Sequence, residues 1–211
     1  KDGVPPLRGI DSLAVPAAMS FNECWWPGHV AAREVEQTGT RLEILHHHND
    51  HPRFTAAWGE PAGSGVVSVY PNGVWVASVP HGAEESVFGS AAGWEDRPID
   101  IMLAGTMNAD VYPRRWEFRE WIEAGLFTAS SGRPLESLLW LHPGTRLESP
   151  AACDDAVLAY ARALRRAKVA LVCPSAFLYP LAKYPEAAMA GCIVAGDMPE
   201  HPPLGYRRMV V

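Results

Sequence analysis

The chain has 211 residues, 48% of them hydrophobic and 20% charged, with a formal net charge of -6 and a pI of about 5.7. That length can bury a real core, in one large domain or two small lobes. The acidic balance argues against nucleic acid or an anionic membrane surface as a general partner and leaves room for a local basic patch that holds a phosphate.

Cys24, Cys153, Cys173 and Cys192 form no CxxC pair, which disfavours both a zinc site and a disulfide-stapled scaffold. The longest apolar run, VALVCPSAFLYPLA from Val169 to Ala182, is broken by Pro174 and Pro180 and falls short of the roughly 20 residues a membrane helix needs. No transmembrane segment is expected. The chain begins KDGVPP, with neither a methionine nor an apolar signal region, as expected of a processing point or the edge of a longer chain.

In chain order, prolines at 5, 6, 16 and 27 punctuate the start, and PGHVAAREVEQTG (Pro27 to Gly39) is the first helical pattern, with Val30, Ala31 and Val35 at helical spacing. TRLEILHHHNDH alternates Leu42 and Ile44 into a histidine cluster, the pattern of a strand delivering polar side chains at its end. SGVVSVY and GVWVASVP flank a PNG turn signal, so residues Gly65 to Pro80 read as a hairpin. SAAGWEDR (Ser90 to Arg97) is small and polar, and a domain boundary is placed there, giving portions 1–92 and 93–211.

Beyond it the grammar changes. PIDIMLAGT (Pro98 to Thr106) is a continuous apolar run, as in a buried parallel strand. YPRRWEFREWIEAGLF carries a proline at the first helical turn, Trp116, Trp121 and Ile122 as its apolar face, and Gly125 as its stop. LESLLWLHPG is a second strand; DDAVLAYARALRRA a helix with an aspartate cap and an apolar stripe of Val157, Leu158, Tyr160, Ala161 and Leu164; KVALVCPS a third strand; YPEAAMAGC a short helix; CIVAG a fourth strand. This alternation predicts a Rossmann-like parallel sheet flanked by helices, preceded by a smaller, partly β N-terminal portion. Such sheets bind ligands beyond the carboxyl ends of their strands.

Glu186 stands at the start of that short helix, on the ligand side. A carboxylate there can accept two hydrogen bonds from a vicinal diol, the way a ribose is gripped; the competing account is an acid that complements the helix dipole. In HHHNDH, His46 and His48 share one side of a strand with no HExxH spacing, so the cluster offers either a metal site, a general base or a hydrogen-bonded loop cap. His142 ends a strand before a prolyl turn and is either a residue that lines the ligand cleft or an ordinary strand-end histidine. Trp25, Trp26, Trp75, Trp116, Trp121 and Trp140 are either sugar-stacking surfaces or core.

ALRRAKVALVCPSAFLYPLAKYPEAAMAGCIVAGDMP resembles the carboxyl-terminal half of GT-B glycosyltransferases of the group 1 type. VPHGAEESVF is similar to the segment that leads into their second Rossmann-like domain, and IDIMLAGTMNADVYPRR looks like that domain's first strand and glycine-bearing loop, particularly in the spore-maturation-like branch. The resemblance covers roughly the last 130 residues, as a single-sequence judgement.

It implies glycosyl transfer from a nucleoside diphosphate sugar, used as substrate, with no cofactor and no tightly bound metal. Glu186 would hold the donor ribose, Gly105 and Thr106 would approach the donor phosphates, and Lys183 with Arg114 or Arg115 would neutralise the diphosphate, as metal-free sites do with Arg, Lys and helix ends. His48 and His81 are the candidate catalytic bases. The acceptor, glycan or protein, is not specified. Leu178 stands where the fuller motif has a second glutamate, and the chain is short for two Rossmann-like domains. Hence two alternatives: a catalytically silent binding or scaffold subunit that works with a protein partner or the remainder of a longer chain, and a metal hydrolase built on the histidine cluster.

Overall fold

In a computed structural model of the chain the described residues are 18–21, 33, 35–45, 51–62, 67–90, 92–142, 149–200, 202 and 205–211. They belong to two compact units, Lys1–Pro80 and His81–Val211.

The first unit carries a four-stranded sheet in the order β1-β2-β4-β3. Its strands are β1 (Ala18–Phe21), β2 (Leu42–Leu45), β3 (Val67–Val69) and β4 (Trp75–Ser78). β1, β2 and β4 run parallel, and β3 pairs antiparallel with β4. The PNG signal forms the expected hairpin turn: Tyr70 N–H donates to Val74 O, and Asn72 Oδ1 accepts from Val74 N at 3.1 Å. Of the first helical pattern, residues 35–38 are described as helical and Val35 is buried. α1 (His51–Trp58) follows β2; its Phe54 and Trp58 rings lie 4.8 Å apart and pack with Tyr70 at 6.4 and 5.3 Å. Val35, Leu45, Val74 and Val76 complete this small core. Leu42 and Trp75, cross-strand partners, are on average nearly half exposed, so Trp75 lies outside that core.

The second unit carries the sheet that the alternating pattern predicts: β5 (Ile99–Gly105), β6 (Ser137–Leu141), β7 (Ala167–Val172) and β8 (Ile193–Gly196), all parallel, in the order β6-β5-β7-β8. β5 is buried along its whole length, which is why its sequence is a run of apolar residues and not an alternation. Met102 and Ala104 enter one core with Ala170 and Val172, roofed by Phe88 of α2 (Glu85–Phe88), Ala161 and Leu164 of α4 (Pro150–Leu164), Tyr184 and Ala187 of α5 (Lys183–Met189) and Tyr206 of α6 (Tyr206–Met209). Ile101 and Leu103 enter the core on the other face with Leu171 and Cys173, roofed by Phe118 and Ile122 of α3 (Pro113–Glu123). Helices on both faces of a parallel sheet make this unit α/β, compatible with a Rossmann-like fold.

Three details differ from expectation. The buried face of α3 is Arg115, Phe118 and, in part, Ile122, whereas Trp116 turns outward and donates to Glu120 at 2.9 Å. Within the α4 stripe Ala161 and Leu164 are buried, but Val157 and Leu158 are 45% and 41% exposed. α4 also starts before the aspartates: Ser149 is its N-cap, its hydroxyl accepting from Ala152 N at 3.2 Å, and Pro150 follows in the first turn. The Ser-Pro pair satisfies an orphan N–H and pre-sets the backbone, so Asp154 and Asp155 fall inside the helix. Ser149→Ala should lower the stability of this unit by about 1 kcal/mol, read as a lower urea midpoint with an unchanged slope.

Candidate functional site

The strand order sets where a ligand would enter. The chain leaves β5, forms β6 on one side, then crosses back to form β7 on the other, so the connections diverge at the carboxyl ends of β5 and β7. A cavity of about 230 Å³ opens at the carboxyl ends of this sheet. Gly105 ends β5, Trp140 and His142 come from the end of β6, Cys153, Ala156, Val157 and Tyr160 line it from α4, and Lys183 and Glu186 from α5.

Lys183 and Glu186 are one helical turn apart on α5, which brings them to one face. Glu186 is also tied to α4, since the Tyr160 hydroxyl donates to its carboxylate. Burial pushes the Glu186 carboxyl up from its ordinary value, while the Lys183 charge and the Tyr160 hydrogen bond pull it back. Burial pushes the Lys183 ammonium down, the Glu186 charge opposes this, and the Arg115 charge adds to it. The ammonium nitrogen lies 5.0 Å from the Tyr160 ring centroid, a cation–π contact that partly replaces its lost hydration. The Tyr160 hydroxyl is pushed far up, by burial first and by Glu186 second.

Gly105 is where the cations converge. Its φ of 122° belongs to glycine, and a Cβ there would lie 2.6 Å from Arg115 Nη1 and 2.9 Å from Lys183 Cε. Arg115 is 2% exposed and comes from α3 beneath the loop after β5. Its guanidinium carbon sits 3.8 Å from the Tyr112 ring centroid, Nη1 donates to Thr106 O at 3.2 Å, and Nη2 finds no hydrogen-bond partner among the described residues. A buried guanidinium with an idle donor beside a half-buried ammonium is a site with unspent positive charge.

Of the residues singled out from sequence, Gly105, Trp140, His142, Lys183 and Glu186 therefore line one cavity; Arg115 and Thr106 are not among its lining residues, Arg115 approaching Gly105 and donating to Thr106 O. Arg114 and Arg115 part company: Arg114 Nε donates to Asp197 at 2.7 Å and its Nη1 donates to Glu117, so Arg115 and not Arg114 faces the site. His81 opens the second unit and is not among the cavity-lining residues. His46, His47, His48 and Asp50 lie outside the described residues, and among the described residues no three His, Cys, Asp or Glu are grouped to hold a metal ion.

Asn108 of the loop after β5 is a turn former, its Oδ1 accepting from the N–H of Asp110 at 2.9 Å and of Val111 at 3.3 Å. Sequence reasoning missed Cys153 and took Tyr160 for core. A tyrosine in an apolar helical stripe carries no signal that its hydroxyl reaches a carboxylate on another helix.

Comparison with protein-family models, with curated proteins and with solved structures found no match for this chain. What fold and cavity define together is an α/β protein with a parallel four-stranded sheet and a pocket of mixed charge at its switch point. Among the described residues no helix is long and apolar enough to cross a membrane.

Proposed function

We propose that the second unit is the donor-binding domain of a GT-B type glycosyltransferase and that its cavity takes a nucleoside diphosphate sugar. The observation that carries this reading is the convergence of one carboxylate, Glu186, and two cations, the half-buried Lys183 and the buried Arg115, on Gly105 at the carboxyl ends of the strands. In transfer, the bond between the sugar's anomeric carbon and the diphosphate oxygen breaks as the acceptor oxygen attacks. The departing diphosphate gains negative charge, which Lys183 and Arg115 offset without a metal ion. Glu186 accepts from the ribose diol, and Tyr160 fixes its orientation.

A thermal-shift screen of the chain against UDP, GDP, ADP and their common sugars, with and without magnesium, tests this. One nucleotide should raise the melting point by mass action whether or not magnesium is present. Glu186→Ala should weaken that nucleotide by about 10- to 100-fold, the value of a charge-assisted hydrogen bond. A well-folded sample that responds to none of them contradicts the reading.

One observation favours a second reading, in which the unit binds but does not transfer. Leu178, where the resemblance places a second glutamate, is 42% exposed and has φ 59°, the one positive value outside glycine among the described residues. A leucine held there contributes no hydrogen bond to a donor sugar. Nucleotide binding without hydrolysis or transfer of any donor sugar would select this second reading.

A further inference from the structure

We infer that His142 is a third basic contact of this site and acquires its charge as an anion enters; the inference rests on the diphosphate reading of the cavity. His142 lines the same cavity as Gly105, Lys183 and Glu186, and its backbone N–H donates to Gly105 O at 3.3 Å, which fixes the end of β6 against the end of β5. The groups that share this space with it are Lys183 and Glu186 from α5, Cys153 and Tyr160 from α4, and Arg115 acting from α3 past Gly105.

Without an anion beside it, a third positive charge in the cavity is disfavoured. Burial, then Lys183, then Arg115 push the imidazole below its ordinary value. A dianion seated against Lys183 reverses that field, because it screens both cations from the ring and offers the imidazolium a partner. Protonated, the ring has two N–H donors where the neutral ring has one.

The sign follows from linkage. If bound anion raises the proton affinity of His142, protonation of His142 raises anion affinity by the same factor. Binding is therefore tightest below the pKa of the free site and weakens as pH rises through that of the occupied site. Glu186, whose own protonation at low pH also removes a negative charge from the cavity, is the competing source of such a trend.

Sulfate separates these cases, since it has no proton to exchange in the range concerned. Isothermal titration calorimetry of the whole chain should show sulfate bound about tenfold more tightly at pH 5.5 than at pH 7.5. The difference should persist in Glu186→Gln and vanish in His142→Gln. Sulfate binding that is lost in Lys183→Ala yet equal at both pH values overturns the role of His142 and leaves the anion site standing. So does a pH dependence that survives in His142→Gln. No sulfate binding at either pH overturns both the inference and the diphosphate reading.

Discussion

Gly105→Ala is expected to weaken donor binding by about 100-fold while leaving the second unit folded. The new methyl group would lie 2.6 Å from Arg115 Nη1 and 2.9 Å from Lys183 Cε, so the two cations that define the site would both be displaced. Losing one or both charge-assisted contacts costs about 3 kcal/mol, or about 100-fold in affinity. The backbone cost of an alanine at φ 122° is separate, roughly 1–3 kcal/mol of stability. Gly125→Ala supplies the control: Gly125 also has a positive φ, 66°, but a Cβ there meets nothing within 4 Å. The control should lose stability and keep affinity. Equal affinity of Gly105→Ala and wild type, by titration with the nucleotide that stabilises the wild type, would contradict the placement of the cations.

Glu43→Leu is expected to stabilise the first unit by about 3 kcal/mol at pH 7. Glu43 sits on β2 opposite Val76, is 0% exposed, and neither of its carboxylate oxygens has a hydrogen-bond partner among the described residues. Burial pushes its carboxyl from 4.5 up to about 9. The folded state thus holds the acid neutral. The folded pKa lies above the unfolded one, so stability is greatest below about pH 4.5 and falls by about 1.4 kcal/mol per pH unit until about pH 9. Leucine has nothing to ionise and fills similar space, which removes this slope. Hydrogen exchange of the β2 and β4 amides, followed from pH 5 to pH 8.5 and corrected for intrinsic rates, reads it directly. A wild type whose protection does not fall with pH would show that Glu43 is charged and paired.

The two units differ in how much of this was legible in sequence. β5 is buried along its whole length and β7 for the most part, and a continuous apolar run such as PIDIMLAGT leaves few other assignments. The proline before Arg114 marked the first turn of α3, which begins at Pro113. It did not show which arginine turns inward, because successive helix positions differ by about 100° and the phase depends on what the helix packs against. Arg115 faces the sheet with Phe118, and Arg114 meets Asp197 after β8, a partner more than eighty residues away in sequence.

The same reason hid most of the cavity wall. Glu186 and Lys183 are one turn apart and could be read together, and His142 and Trp140 stood out at a strand end, but Tyr160 and Cys153 join them only because α4 packs beside α5. In the first unit the alternation of β2 is present but faces the other way: Glu43 and Leu45 are buried and Leu42 is exposed, and the sequence carried no sign of this, since an acid between leucine and isoleucine usually marks the wet face of a strand.

The most direct test of the central claim is a crystal structure of the chain with the stabilising nucleoside diphosphate bound. The diphosphate should lie over Gly105 within about 2.7–3.2 Å of the Lys183 ammonium, with the ribose hydroxyls on the Glu186 carboxylate. A nucleotide seated instead among Arg133, Arg166 and Lys168, in the cavity at the amino-terminal end of β5, would contradict the account.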